Sequence, residues 1–188
     1  MLRLGESCLG NGGPGDDPGI ERRDFFLHAP ATTNSRMALA GAIAGLQLLG
    51  QKGRRLRLLV VSDSEYLVKG VREWAPGWQR RGWTRKGGAI ENLALWKALW
   101  QSLERHEVQF TWVRGHAGHP KNEYANDLAV GAARRQETSD GVVASGFLEW
   151  LADRQAQGKF SGYDPDAAFD AVAVRLAAGE QIPIAEES

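Results

Sequence analysis

Three groups of residues in this chain have the types and spacing to do chemistry. The first is Asp63, which follows the apolar run Arg57-Leu58-Leu59-Val60-Val61 and is flanked by Ser62 and Ser64. Such a run suits an interior strand whose C-terminal end delivers polar groups to a cleft. The second is the pair His116 and His119, set between Gly115 and Pro120. Imidazoles titrate near neutral pH and can carry protons, although a lone loop histidine is most often a solvated surface residue. The third mixes cations with indoles: Arg72, Trp74, Trp78, Arg80, Arg81, Trp83, Arg85 and Lys86. A basic segment of that density points to a polyanion partner; the plainer reading is a solvated basic surface.

The whole chain of 188 residues carries 23 Lys plus Arg against 23 Asp plus Glu. That neutrality hides an asymmetry. Residues 51–90 hold ten Lys or Arg and three Asp or Glu, a local balance of +7, whereas residues 136–188 hold three and ten, a balance of −7. With 43% hydrophobic residues and no apolar run near the roughly 18 to 20 that a spanning helix needs, a disordered, collagenous or membrane protein is excluded. The single cysteine, Cys8, cannot form an internal disulfide, and the first 20 residues lack the apolar core of a signal peptide. A reducing, cytoplasmic setting is therefore expected.

The elements that must position these groups follow from periodicity. A short first strand is expected at about Leu2 to Cys8, then a turn-rich stretch from Gly10 to Gly19. Ile20 to Asp24 is a poor strand and Phe25 to His28 a better one. Residues 35–49 have helical spacing at Met37, Leu39, Ala40, Ile43, Leu46 and Leu49, with Asn34 or Ser35 as N-cap. Residues 64–89 read as a broken helical region, interrupted by Pro76-Gly77. Helices at about 91–105 and 121–135 flank a strand from Val108 to Val113. From Thr138 the chain turns acidic and alanine-rich, with two amphipathic helices, Gly146 to Gln157 and Pro165 to Ala178, the second capped by Asp164. Gln181 to Ser188 reads as a frayed tail. The order of elements implies an α/β fold: a mixed sheet with helices on its faces, residues 1–137, followed by a helical extension, residues 138–188.

Four stretches together resemble the bacterial type 1 ribonuclease H family: SCLGNGGPG (7–15), TTNSRMAL (32–39), SDSEYLVKGVREWAPGWQRRGW (62–83) and WVRGHAGHPKNEYANDLA (112–129). The resemblance covers roughly residues 1–135. It implies a five-stranded mixed sheet flanked by helices, and cleavage of the RNA strand of RNA/DNA hybrids with magnesium. Hydrolysis by two metals needs clustered carboxylates that hold the ions about 3.5 to 4 Å apart. Magnesium keeps several waters, so each protein carboxylate matters.

The family supplies four carboxylates, and only one is retained here, as Asp63. The first-strand Asp falls on Gly5, with Glu6 beside it; the helix Glu falls on Ala38; the last Asp falls on Asn126, with Asp127 next. Glu6 would face the other side of its strand, and Asp127 lies about 100° round its helix, so both need re-aiming to substitute. Asp63 with Asn126 as a neutral oxygen ligand would bind one Mg²⁺ or Mn²⁺ weakly at best. Hydrolysis is expected to be lost or strongly impaired. The alternative is an active enzyme with a rearranged site built from Asp63, Glu6 and Asp127.

The binding residues are better kept. The resemblance places Arg72, Trp74, Trp78, Arg80, Arg81, Trp83, Arg85 and Lys86 in a basic handle over the hybrid's DNA strand, where cations meet phosphates. Core packing is the expected role of Trp74 and Trp78; Trp83 stands evenly between packing and sugar contact. Cys8, Asn11, Asn34 and Ser35 match positions that touch the backbone and read 2′-hydroxyls, Thr33 a DNA-phosphate position, and Glu65 a substrate contact. His116 matches the family's loop histidine, a proton or product shuttle; His119 is expected to start the last helix. Trp96, Trp100 and Trp112 are core. RNA/DNA hybrid or a related duplex is the expected partner, and the protein a monomer. The acidic extension would dock on a protein partner or fold back over the basic handle as an internal competitor.

Overall fold

Leu58 and Val60 alternate along one strand and are each only 4% exposed, which places the centre of the core beneath them. That strand, β2 (Arg57–Ser62), pairs in parallel with β3 (Glu107–Trp112), Arg57 opposite Glu107 and Ser62 opposite Trp112. The computed structural model describes residues 20–51, 53 and 55–182. The expected first strand, Leu2 to Cys8, and the site candidates Gly5, Glu6, Cys8 and Asn11 lie outside the described residues, as do residues 183–188 of the expected tail. Among the described residues the strands form two two-stranded pieces, β2 with β3 and β1 (Arg23–Asp24) with β4 (Val143–Ala144). Helices pack around them, as the α/β class requires.

Helix α1 (Asn34–Gly50) buries Leu39, Ala42, Ile43, Leu46 and Leu49, a helical stripe that packs with β2 and with α4 (Leu93–Leu103), where Trp96 and Leu99 are buried. The N-cap of α1 is Thr33, not Asn34 or Ser35. Its backbone is extended, and its hydroxyl accepts from the Arg36 N–H at 3.3 Å, the reach an N-cap needs.

Between β2 and α4 the chain does not break at Pro76. It runs as α2 (Glu65–Lys69), a π-helical turn (Gly70–Trp74) and α3 (Ala75–Arg80). Two features explain the wide turn. Pro76, in the first turn of α3, has no N–H to give the turn before it, so the hydrogen-bond ladder is interrupted there. Gly70 faces the Trp96 indole so closely that a Cβ there would lie 2.0 Å from Cη2. Trp96 then stacks obliquely with Tyr66 and edge-on with Trp78, and donates its indole N–H to the Tyr66 hydroxyl at 3.0 Å. The π-turn thus seats one tryptophan of α4 against the helix that follows Asp63.

The last helix of the first part, α5 (Pro120–Arg135), is capped by His119, as expected. Its Tyr124 packs with Phe147 and Leu151 of α6 (Phe147–Ala156) in a second, smaller core. α7 (Pro165–Ala177) follows, with Asp164 accepting from the Asp166 and Ala167 N–H groups. Ile182, read as part of a frayed tail, is instead buried, and Gln109 of β3 brackets it by accepting from the Ile182 N–H and donating to the Glu180 carbonyl, both at 2.9 Å.

Of the two strands expected here, the poorer, Ile20 to Asp24, contains β1 at Arg23–Asp24, and Phe25 to His28 forms no strand. Phe26 and His28 find other partners: Ser139 donates to the Phe26 carbonyl at 2.9 Å, and the Thr138 hydroxyl accepts from the His28 N–H at 2.9 Å. Asp24, a poor strand former, is held in place by its side chain. The buried carboxylate accepts from the Tyr124 hydroxyl, from Ser145 Oγ at 2.7 Å and from the Gly146 N–H at 3.1 Å. Burial first, then the bond to Asp24 and its charge, push the Tyr124 phenol up to about 12. An ultraviolet absorbance titration is therefore expected to show one of the three tyrosines ionising near pH 12, and Tyr124→Phe should remove that step. The folded state keeps this proton where an unfolded chain releases it, so the contribution to stability is full below about pH 10 and lost as pH rises towards 12. Folded Tyr124→Phe that leaves the late step in place would refute the assignment.

Candidate active site and nucleic-acid interface

Asp63 stands where β2 ends and α2 begins, and its neighbours build the corner. The Ser64 hydroxyl caps α2 by accepting from the Leu67 N–H, and the Ser64 N–H donates to Ser62 Oγ at 3.1 Å. Both serines are thereby used in turning strand into helix, which leaves the Asp63 side chain exposed at the corner. From the paired strand, the Trp112 indole N–H donates to the Asp63 carbonyl at 3.0 Å. The loop after β3 passes close beside the carboxylate: a Cβ on Gly115 would lie 3.0 Å from Asp63 Oδ2. A side chain there would press directly on the carboxylate.

The next residue, His116, takes a left-handed conformation, φ +55°, and is exposed. His119 has a different task. Its Nδ1 accepts from the Asn122 N–H at 3.3 Å, and burial together with the nearby Lys121 charge lowers its pKa below the usual imidazole value. A neutral His119 is the form that can accept that bond.

A cleft of about 1140 Å³ brings together Asn34, Ser35 and Ala38 of α1, Ser62, Asp63 and Ser64 at the end of β2, His116 and His119, and Asn126 of α5. Asp63, His116, Asn126, Asn34 and Ser35, singled out from the sequence, thus share one cavity. Asp127 does not. Its carboxylate accepts from the Trp150 indole N–H at 2.9 Å and from Arg154 at 3.1 Å, which turns it towards α6. The one-residue step round α5 has given it a different partner, and this removes Asp127 from the rearranged site built with Asp63.

The basic handle divides in the same way. Arg80, Arg81, Arg85 and Lys86 are exposed. Arg72 reaches back to donate to the Phe110 carbonyl at 3.2 Å, so part of its donor set is committed to β3. Glu65 pairs with Lys69 at 2.7 Å. Trp78 is 9% exposed and packs on Trp96, so no ring face is offered to a ligand. Trp74 is 36% exposed. Trp83, with φ +64°, sets its ring edge-on to Trp100 and is half-buried.

Across residues 6–134 the chain matches the sequence model of the RNase H family. The chain belongs to the ribonuclease H family. Two relatives named Ribonuclease H show the extent of the match. The protein of Aromatoleum aromaticum is 43% identical over 69% of this chain and 89% of its own length, and that of Solibacter usitatus is 40% identical over 71% and 93%. Among solved structures, LC9-RNase H1, a type 1 RNase H with the type 2 active-site motif, superposes with a TM-score of 0.69 at 47% identity, covering 80% of this chain and 79% of that one. Ribonucleases H act on RNA/DNA hybrids and generally depend on divalent metal. No helix among the described residues is long and apolar enough to cross a membrane.

The described residues do not fit a two-metal ribonuclease H centre. Among them no three His, Cys, Asp or Glu side chains gather where an ion could be held. Asp63 and the Asn126 amide are the oxygen donors from family metal positions that reach the cleft, and Ala38 supplies none. A pair of ions about 3.5 to 4 Å apart needs bridging and flanking carboxylates that this set lacks.

Proposed function

We propose that the protein binds RNA/DNA hybrid, or a related duplex, with hydrolysis of the RNA strand lost or strongly impaired. One observation carries this reading: of the family's carboxylate positions within the described residues, the cleft presents Asp63 beside Ala38 and Asn126. Phosphate contact needs only cations and polar groups. Arg80, Arg81, Arg85 and Lys86 on the handle, and Asn34 and Ser35 at the cleft, provide them. His116 remains placed to shuttle a proton or product if any turnover persists. Any Mg²⁺ or Mn²⁺ would sit on Asp63 as a single weak ion. The reading takes the protein as a monomer in the cytoplasm.

The test is a cleavage assay on an end-labelled hybrid in Mg²⁺ or Mn²⁺, run beside an intact relative. Binding without appreciable cleavage is expected, with affinity falling steeply as salt rises. Turnover matching the relative, and abolished by Asp63→Asn, would overturn the loss of hydrolysis. Failure to bind hybrid at low salt would overturn the binding reading as well.

A further inference from the structure

We propose that Tyr66 is a positioning residue of the nucleic-acid interface: through Asn92, its hydroxyl fixes Arg36 as a phosphate contact between the cleft and the basic handle. This rests on the hybrid-binding reading and adds to it one cation and the two residues that hold it. Asn34 and Ser35 line the cleft from the first turn of α1, and Arg36 follows them, exposed. Asn92 ends the stretch that returns from the handle and immediately precedes α4. The Arg36 guanidinium donates to the Asn92 side-chain oxygen at 3.3 Å and so joins the two.

Asn92 is spent on this bridge and not on its own helix. It stands at the N-cap of α4, where an asparagine ordinarily accepts from a backbone N–H, yet its side chain makes no capping bond. Its backbone is left-handed, φ +55°, a conformation asparagine adopts more readily than most residues. The amide is used at both ends, because its nitrogen donates to the Tyr66 hydroxyl at 3.3 Å. That hydroxyl also accepts from the Trp96 indole N–H at 3.0 Å and donates to the Glu91 carbonyl at 3.3 Å. One donor and two acceptor sites are all that a hydroxyl has, so its orientation is fixed. The ring is fixed as well, edge-on to Trp74 and oblique to Trp96.

Arg36 gains nothing from its place on α1. A cation in the first turn faces the positive end of the helix dipole, and no acid lies in that turn to offset it. Among the described residues Arg36 forms no ion pair, with Glu91 beside Asn92 or with any other acid. A planar guanidinium held at one nitrogen presents the rest of its fork to a phosphate and has less freedom left to lose.

Anisotropy of a fluorescent RNA/DNA hybrid in EDTA, across a salt series, tests this with the full chain and its Arg36→Ala, Asn92→Gly and Tyr66→Phe variants. Arg36→Ala is expected to weaken binding about 3- to 10-fold and to lower the salt slope by about one. Asn92→Gly keeps the left-handed turn and removes the bridge, whereas Tyr66→Phe keeps the ring and removes the hydroxyl. Each should weaken binding about 2- to 5-fold, and neither should add to the loss once Arg36 is alanine. Tyr66→Phe strands the Trp96 indole N–H and is expected to melt below the parent; Asn92→Gly carries the test if Tyr66→Phe does not fold. A tyrosine with a structural role alone would lower the melting temperature and leave affinity and slope at parental values, which overturns the proposal. Arg36→Ala with the parent's slope overturns it too, and both results leave the hybrid-binding reading standing. A parent that does not bind overturns that reading, and this proposal with it.

Discussion

Ending the chain at Glu137 is expected to unfold the domain, not to release it. Residues 138–182 pair with β1, pack on α5, accept from Arg57 of β2 through the Leu176 and Ala177 carbonyls, and bond to Gln109 of β3, in contrast to an extension laid over the basic handle. Removing them strips Asp24 of Ser145 and Gly146, two of the donors around a buried carboxylate. Each buried polar group left unsatisfied costs about 1 to 3 kcal/mol, and more when charged. Phe147, fully buried against Tyr124, goes too, and losing a buried Phe side chain alone costs about 3 to 5 kcal/mol. β1 loses β4, its partner strand. These losses approach the roughly 5 to 15 kcal/mol that holds an ordinary domain together. A thermal melt of the truncated chain should therefore show no cooperative transition, or one shifted down by tens of degrees. A truncated protein that melts like the full chain would refute the structural role. Tighter hybrid binding by a folded truncated form would point back to an internal competitor.

The division between what could and could not be read from sequence follows from how local the cause is. Helices α1 and α4 were legible because each carries its own apolar stripe, and α5 because His119-Pro120 marks its start. The corner at Asp63 was legible too, since an apolar strand ending in Ser62-Asp63-Ser64 must place polar groups at a sheet end. The π-turn was not: its cause is the Trp96 ring against Gly70, a contact across 26 positions of sequence. β4 was not, because a two-residue strand carries no period, and β1 was legible only as a poor strand, since Asp24 argues locally against one. The direction of Asp127 was decided by Trp150 and Arg154, residues beyond the family match at 6–134.

Returning the missing acids is expected to convert a binder into a nuclease, and the conversion should be visible in stability before it is visible in turnover. Ala38 on α1 and Asn126 on α5 line the cleft with Asp63, so Ala38→Glu and Asn126→Asp add carboxylates to the cavity that already holds one. Gly5→Asp completes the family's set of four. Asn126→Asp barely changes shape. The effect of all three is electrostatic: like charges gathered in one cleft repel, and without metal the triple variant should melt below the parent. A divalent ion that binds the folded site and not the unfolded chain reverses that loss by mass action, about 2.7 kcal/mol at a concentration 100 times the dissociation constant. Adding Mn²⁺ should therefore raise the melting temperature of the triple variant by several degrees and move that of the parent little. Hybrid cleavage should rise at least about 100-fold over the parent, the scale expected when a two-metal centre replaces a single weak ion. A parent whose melting temperature rises with Mn²⁺ as much as the variant's would show that a metal centre already exists. A variant that gains metal stabilisation and still does not cut would place the defect outside the carboxylates, in the positioning of the hybrid by the handle and His116.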